Sequence, residues 1–569
     1  MQAIAFANND IGLVVWKYDK KIPDCLGFAV SRIDIQSRVE ETLPAWVGFK
    51  GQQKQYGRWK TTRQWPIQKY NWRDFTARRG GFFRYKIVPM VGTVEKLEPH
   101  NDSKYTLITN PVNLSPRCGQ ISAYFNRGII ATQAVSRSLT KTKSGKPNYK
   151  ELVDRIDQPG DPLRNRLAAD IRKALFELLN RAKYNGGHCY CALYEFNDPE
   201  LESLMLGSSY VHVILSNTGI DDKVNKPTRQ ALHESNVDVT DRMLGSGHIG
   251  HNKFVVYVDS TNTPRAVLTG STNWTATGLC GQTNNALIIE SDDIASIFFR
   301  YWKQLKDDLS RQDTDFRQKN NVTHKVSLDQ NNTELSVWFS PNTKQKSKPQ
   351  NPKIPSDMAD VFNIIRNAEQ AVLFLAFKPG KPSFLEEVRE VQKNNSSIFV
   401  RGALTDEKAA QEKETDVVSL YHYSAERPDS TIIAPAAIED EFSYWQKELL
   451  KTSPFAHAII HDKIMVVDPF SANCTVITGS HNLGVRASYN NDENLLIIRK
   501  NRALSEAYVT HVMDIYDHYR WRNQIKNKKE KAWDSLSSKD TWQNKYFKPA
   551  GPEKNALEFW LSAAQDKIG

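Results

Sequence analysis

At 569 residues the chain is longer than one hydrophobic core usually organises, so two or three domains are expected. Hydrophobic residues at 40% and charged residues at 25% match an ordinary soluble globular protein and argue against a disordered or lipid-embedded one. The net charge of +11 points to a polyanionic partner, either nucleic acid or an acidic membrane surface.

In chain order, residues 1–115 read as a small β-sandwich accessory domain. Its candidate strands are GLVVWKYD (12–19), GFAVSRID (27–34), PAWVGF (44–49), FFRYKIVPMVG (82–92) and YTLITNPVNL (105–114), separated by turn residues. The run from Pro66 to Met90 resembles the central strands of fibronectin type III or immunoglobulin-like modules. Trp16, Trp46, Trp59, Trp65 and Trp72 are assigned to its core.

From about 160 the texture changes to alternating helix and strand. The segment 163–182 sets Leu167, Ile171, Leu175 and Leu178 on one helical face, and CYCALYEF (189–196) and YVHVILSN (210–217) follow as strands. The plan then recurs: a helix at 357–370, the strand AVLFLAF (371–377), a helix at 384–394 and the strand SIFVRGAL (397–404). Such alternation implies layered α/β architecture. The Lys- and Pro-rich stretch 343–353 reads as a solvated loop, and the aromatic-rich tail 531–569 is expected to pack on the core. Six dispersed cysteines (Cys25, Cys118, Cys189, Cys191, Cys280 and Cys474) lack disulfide-like spacing. The opening segment is not a signal peptide and no apolar run reaches membrane-spanning length, so a cytoplasmic location is expected.

An internal repeat carries the chemistry. HNKFVVYVDSTNTPRAVLTGSTNWTATGLCGQTNNALII (251–289) matches HDKIMVVDPFSANCTVITGSHNLGVRASYNNDENLLII (461–498). Both run His-x-Lys, an apolar strand ending in Asp, a turn, a second strand, Gly-Ser-x-Asn and a closing strand. His251 aligns with His461, Lys253 with Lys463, Ser271 with Ser480 and Asn273 with Asn482. In an extended strand, residues two apart share a face, so each His and its Lys point into one pocket. The ammonium neutralises phosphate oxygens, a neutral imidazole attacks phosphorus, and the Gly-Ser-x-Asn turn is expected to add hydroxyl and amide donors. Asp259 and Asp468 at the strand ends read as turn-stabilising, and Trp274 reads equally as core or as a stacking surface. His248, in the tetrapeptide before His251, reads as a rim residue.

Two His-x-Lys copies, each followed by Gly-Ser-x-Asn, resemble the HKD pattern of the phospholipase D superfamily over roughly 160–525. The resemblance implies two pseudo-symmetric α/β/α sandwich halves, at 116–335 and 336–530, following the small all-β domain. It also implies a metal-independent phosphodiesterase with a phosphohistidine intermediate and no cofactor. Asn284 and Glu493 occupy corresponding positions before the closing strands, and the resemblance implies that each orients the histidine of its own motif. On that basis the carboxylate makes His461 the general acid and the amide leaves His251 the nucleophile. The amide/carboxylate asymmetry resembles the tyrosyl-DNA phosphodiesterase branch at this one position. A nuclease acting on DNA or RNA is the expected function. A phospholipase D acting on phospholipid headgroups and a non-catalytic polyanion-binding module are the alternatives. Nucleic acid is the expected partner and membrane phospholipid the second. No obligatory protein partner is inferred.

Overall fold

A computed structural model describes residues 1–52, 59–128, 138–140, 148–219, 222–328, 332–405, 432–433, 460–527, 535–549 and 551–564, with the side chains of 149–150, 432–433 and 521–527 excepted. The chain divides into two compact units. One comprises Met1–Pro116, Glu506–Thr510 and Asn527–Gly569, and the other Arg117–Ser505 with His511–Lys526.

The first unit is all-β apart from its C-terminal segment. One antiparallel sheet has the order Gln2–Ala7, Gly12–Lys17, Asn71–Asp74. The other runs Leu107–Ile108, Phe82–Gly92, Cys25–Asp34, Glu40–Thr42. The strand expected over 105–114 is broken into Leu107–Ile108 and Val112–Asn113. Pro111 has no N–H to donate at the break, and the neighbouring side chains replace ladder bonds: Asn110 Oδ1 accepts from the Ala5 amide at 2.8 Å. Trp16 is fully buried and Trp65 nearly so, but Trp46 and Trp59 are about half exposed, against the expectation of core packing. They flank a ladder only two residues long, Pro44–Ala45 against Lys60–Thr61, which is too short to bury both faces.

The tail expected to pack on the core groups instead with this N-terminal unit. Gln543 gives the reason. Its Oε1 accepts from the Ile22 amide at 3.1 Å and the Tyr70 hydroxyl at 3.0 Å, while Nε2 donates to the Ile22 carbonyl at 3.0 Å. Trp542 Nε1 donates to the Cys25 carbonyl at 2.9 Å, and Tyr546 lies 4.7 Å from the Tyr70 ring. These polar partners satisfy donors of the N-terminal unit that would otherwise be buried and unmet.

The second unit holds two eight-stranded sheets. The first has the order Arg117–Cys118, Ile121–Phe125, Asn285–Glu290, Pro264–Gly270, Lys253–Val258, His188–Leu193, Val211–Ser216, Asp238–Arg242. The second runs His324–Leu328, Thr333–Ser340, Glu493–Arg499, Thr475–Gly479, Ile464–Val467, Ala371–Ala376, Phe399–Leu404, Ile432–Ile433. In both, antiparallel pairing holds until the sixth strand, and the last three run parallel. Central strands such as Lys253–Val258 and Ala371–Ala376 are buried along their whole length, because helices cover the faces. The helix Pro162–Asn185 starts on an Asp161 cap and ends at Gly186 in the left-handed region, with Leu167, Ile171, Leu175 and Leu178 all buried. Ser383 and Glu386 form a reciprocal capping box on Phe384–Asn394. Asp468 also works on the backbone: its carboxylate accepts from the amides of Glu369, Gln370 and Ala371 at 2.7–2.9 Å. Among the described residues no helix is long and apolar enough to cross a membrane.

Candidate active site

Local chain geometry brings each His and Lys to one place. His251 and His461 stand just before the strands that begin at Lys253 and Ile464, and all four side chains are buried. Each ammonium turns back onto its own motif: Lys253 Nζ donates to the His251 carbonyl at 2.8 Å, and Lys463 Nζ to the His461 carbonyl at 2.6 Å. An aromatic ring from the neighbouring strand end supports each pair. Tyr194 lies 4.7 Å from the His251 ring and 4.9 Å from Lys253 Nζ. Phe377 lies 5.3 Å from both the His461 ring and Lys463 Nζ.

The glycine of Gly-Ser-x-Asn is a steric requirement. Gly270 and Gly479 have φ of +154° and +134°, and a Cβ at either would sit 2.3–2.4 Å from the carbonyl oxygen of Asn285 or Asn494. The closing strands approach that closely because the serine hydroxyls bind them. Ser271 Oγ accepts from the Asn285 amide and donates to Asn284 Oδ1 at 2.8 Å. Ser480 Oγ accepts from the Asn494 amide at 3.0 Å. The Ser271 proton is therefore spent on the wall of the pocket, a correction to the expectation that it donates beside the phosphate, whereas Ser480 Oγ is engaged as an acceptor.

The two halves cross at the orienting residues. His251 Nδ1 lies 2.9 Å from Glu493 Oε1, and His461 Nδ1 lies 3.0 Å from Asn284 Oδ1. Each histidine is thus held by the other half, which overturns the expected pairing within each motif. The cause is backbone pairing: the His461 amide donates to the Thr283 carbonyl, and the Asp492 amide to the Ile249 carbonyl, so each motif starts beside the other's closing strand. A second pair of crossings lies alongside. Asn285 Nδ2 donates to Thr478 Oγ1 at 2.9 Å, and Thr269 Oγ1 to Asn494 Oδ1 at 2.8 Å.

The amide of Asn284 has a defined orientation, since its Nδ2 donates to the Gly278 carbonyl and leaves Oδ1 to accept from Ser271 and His461. Asn273 Nδ2 donates to Glu195 Oε2, while the amide oxygens of Asn273 and Asn482 are buried without a hydrogen-bond partner among the described residues. The Asn482 backbone amide donates to Glu493 Oε2 at 3.1 Å. Glu195 was not singled out by sequence, and neither were Tyr194 and Phe377. The available signal was their place: each ring follows the strand paired to a His-x-Lys strand, at the end where the pocket opens.

Electrostatics favour neutral imidazoles in this pocket. Burial pushes His251 down to about 4, with Lys253 adding to the effect and Glu493 opposing it. Burial and both ammoniums push His461 well below its ordinary value. Burial would raise the Glu493 carboxyl, but the adjacent His251 outweighs it and brings the group to about 2. Burial lowers both lysines, against the charges of Glu493 and Glu195. Each histidine feels the other half's lysine, as groups sharing one pocket must.

The remaining residues singled out by sequence serve structure. Asp259 accepts from Thr261, Thr263 and Arg265 at its turn, and Trp274 is buried with its ring edge-on to Phe196. His248 is half-buried at the rim of a cleft, its Nδ1 2.8 Å from Gln312 Oε1.

Two imidazole–ammonium half-sites, carried by two eight-stranded sheets, thus share one pocket. Residues 361–514 match the family model described as cardiolipin synthase, PLD-like domain. The matched span contains the second motif, with His461, Lys463 and Glu493. No curated protein matches it. Among solved structures it is similar to phosphatidylserine synthase of Haemophilus influenzae, at 14% identity over 70% of this chain and 93% of that one, with a TM-score of 0.38. It is also similar to the phospholipase D family member Nuc of Salmonella typhimurium (20%, 33% and 95%, 0.21) and to yeast tyrosyl-DNA phosphodiesterase (10%, 55% and 83%, 0.31). At these identities and scores the likenesses say nothing of substrate.

Proposed function

We propose that the protein is a phosphodiesterase that forms a phosphohistidine on His251 and acts on nucleic acid, DNA or RNA. The observation that carries the reading is the crossed pair of anchors, Glu493 on His251 and Asn284 on His461, because they fix both rings through Nδ1 and leave both Nε2 atoms for chemistry. His251 remains the nucleophile, for the opposite reason to the one its sequence suggested. When Nε2 attacks phosphorus the imidazole becomes cationic, and the Glu493 carboxylate stabilises that charge. His461 takes up a solvent proton on Nε2 as the diester anion enters and offsets the two ammoniums, and the bond to the leaving oxygen breaks as that proton is given to it. Water then loses a proton to His461 and attacks phosphorus, the P–N bond breaks, and a phosphomonoester leaves. Lys253 and Lys463 offset the charge on the phosphoryl oxygens, so the scheme calls for no metal.

The strand orders support reading the two sheets as pseudo-twofold halves. The grouping of the first, second and fifth long strands against the third, fourth and those after it supports the fibronectin III or immunoglobulin-like reading of the N-terminal unit. The net charge of +11 suits a nucleic-acid backbone, as it would an acidic membrane surface. The test is incubation of the purified chain in EDTA with single-stranded DNA, plasmid, RNA and phosphatidylcholine vesicles, alongside His251→Ala and His461→Ala. Cleavage of a nucleic acid, lost in both variants, is the expected result. Headgroup release with intact nucleic acids transfers the protein to the lipid reading. No turnover of any diester leaves only a binding module.

A further inference from the structure

Beside His461 the pocket opens into a cleft of about 650 Å³, walled by Leu244–Ile249 from the first half and by Phe377–Gly380, Asn482 and Arg486 from the second. Asn482 belongs to the repeated motif, and the Phe377 ring touches both His461 and Lys463, so the cleft is continuous with the reacting centre. Its charge has one sign. Lys378 and Arg486 are exposed, His248 is half-buried, and none of the described lining residues is Asp or Glu. The corresponding place in the first half differs: Glu195 follows Tyr194 as Lys378 follows Phe377, and Glu195 is buried on Asn273.

Arg317 fastens a basic loop beside this cleft. Its side chain is 1% exposed, yet its guanidinium donates to the backbone carbonyls of Gln312 at 2.8 Å, Gln345 at 3.0 Å, Lys346 at 2.8 Å and Tyr489 at 2.9 Å. A fork of donors spent on carbonyls holds a chain in place, and here it holds the stretch 343–348 that reads in sequence as a solvated loop. Further ties fasten that loop to the cleft's rim. His248 Nε2 lies 3.2 Å from Ser347 Oγ, the Lys348 amide donates to Asn490 Oδ1 at 3.1 Å, and Asn490 Nδ2 donates to the Gly247 carbonyl at 3.0 Å. Lys344 and Lys346 are exposed on the pinned loop, and Lys348 is half-buried. Ordering a lysine-rich loop against a groove makes sense when the groove must hold an anion.

We propose that this cleft and loop seat the sugar-phosphate backbone of a single nucleic-acid strand flanking the scissile phosphate on the His461 side. The inference rests on the phosphodiesterase reading above and specifies its substrate. A volume of this size fits a ligand-sized length of chain rather than a duplex. Phosphates held by Lys344, Lys346 and Lys348 outside and by Lys378 and Arg486 inside set the strand's register, because backbone contacts position without reading sequence.

The test measures binding in a His251→Ala background, so that no substrate is consumed. Anisotropy of a labelled oligothymidylate of about a dozen nucleotides is followed against salt. The triple variant Lys344→Gln/Lys346→Gln/Lys348→Gln and the double variant Lys378→Gln/Arg486→Gln are each expected to weaken Kd about tenfold. The log–log salt slope is expected to become shallower by about 0.7 for each phosphate that the protein no longer neutralises. Lys393→Gln, in the last turn of the helix Phe384–Asn394 and not among the cleft's lining residues, is the control and leaves both unchanged. Unchanged affinity and slope in the two multiple variants overturn the proposal, as does loss of binding to phosphatidylglycerol vesicles in place of the oligonucleotide. Hydrolysis of bis(p-nitrophenyl) phosphate by the unaltered chain tests the parent reading separately. Turnover there with unaltered oligonucleotide affinity in the variants sinks the strand seat alone, and absence of turnover sinks the chemistry.

Discussion

Replacing Glu493 by Gln changes the shape of the pocket very little and removes one negative charge beside His251. The carboxylate oxygen lies 2.9 Å from Nδ1 in a fully buried setting. With an effective dielectric of about 20, a full charge pair at that distance is worth about 5–6 kcal/mol. The amide dipole recovers part of this, leaving about 3–4 kcal/mol of lost stabilisation as the imidazole becomes cationic, or roughly two to three orders of magnitude in rate. The assay is rapid-quench single turnover on bis(p-nitrophenyl) phosphate, with the covalent adduct trapped in acid-free denaturant and mapped by peptide mass. Glu493→Gln should slow adduct formation on His251 by that factor while the substrate's Kd stays within a few-fold. A variant that forms adduct at the wild-type rate refutes the argument. So does an adduct on His461, because the Glu493 carboxylate would then sit beside the wrong ring.

Three further expectations follow from the same geometry. If His461 protonates the leaving oxygen, His461→Ala should cost at least about 100-fold less for a p-nitrophenyl ester than for a ribose-oxygen leaving group; equal losses on both contradict the assignment. Glu195→Gln keeps a partner for Asn273 but removes a charge that holds the Lys253 ammonium up, so the alkaline limb of kcat/KM should move to lower pH; an unmoved limb rules out that influence. Stability should fall on acidification in two windows. Folded His251 sits near 4 against about 6.5 unfolded, so the unfolded chain binds its proton first and stability is lost from about pH 6.5 down to 4. Folded Glu493 sits near 2, so its contribution is present above about pH 4.5 and is lost as pH falls toward 2. Denaturant titration at pH 7 and 5 should show a loss of about 2 kcal/mol from His251, reduced in His251→Gln; a flat profile refutes it.

The two half-sites were legible in the chain because their signals are local. The spacing of two in His-x-Lys, the glycine that the closing strand forces on Gly-Ser-x-Asn, and the apolar strands around them depend on neighbours a few residues away. The repeat of that unit could be read by aligning 251–289 with 461–498, with no knowledge of how the copies meet. Helix faces were legible for the same reason, as with Leu167 to Leu178.

Tertiary structure decided which half serves which. Glu493 reaches His251 and Asn284 reaches His461 because each motif starts against the other's closing strand, across 242 and 177 residues of sequence. No local pattern encodes a pairing of that range, so the sequence singled out Asn284 and Glu493 but paired them with the wrong histidines. The same limit applied to Glu195, to the tail that completes the N-terminal unit through Gln543, and to the lysine-rich loop that Arg317 fastens at the cleft. A side chain's type is written in the chain, but the partner that tunes it is chosen only when distant strands pack.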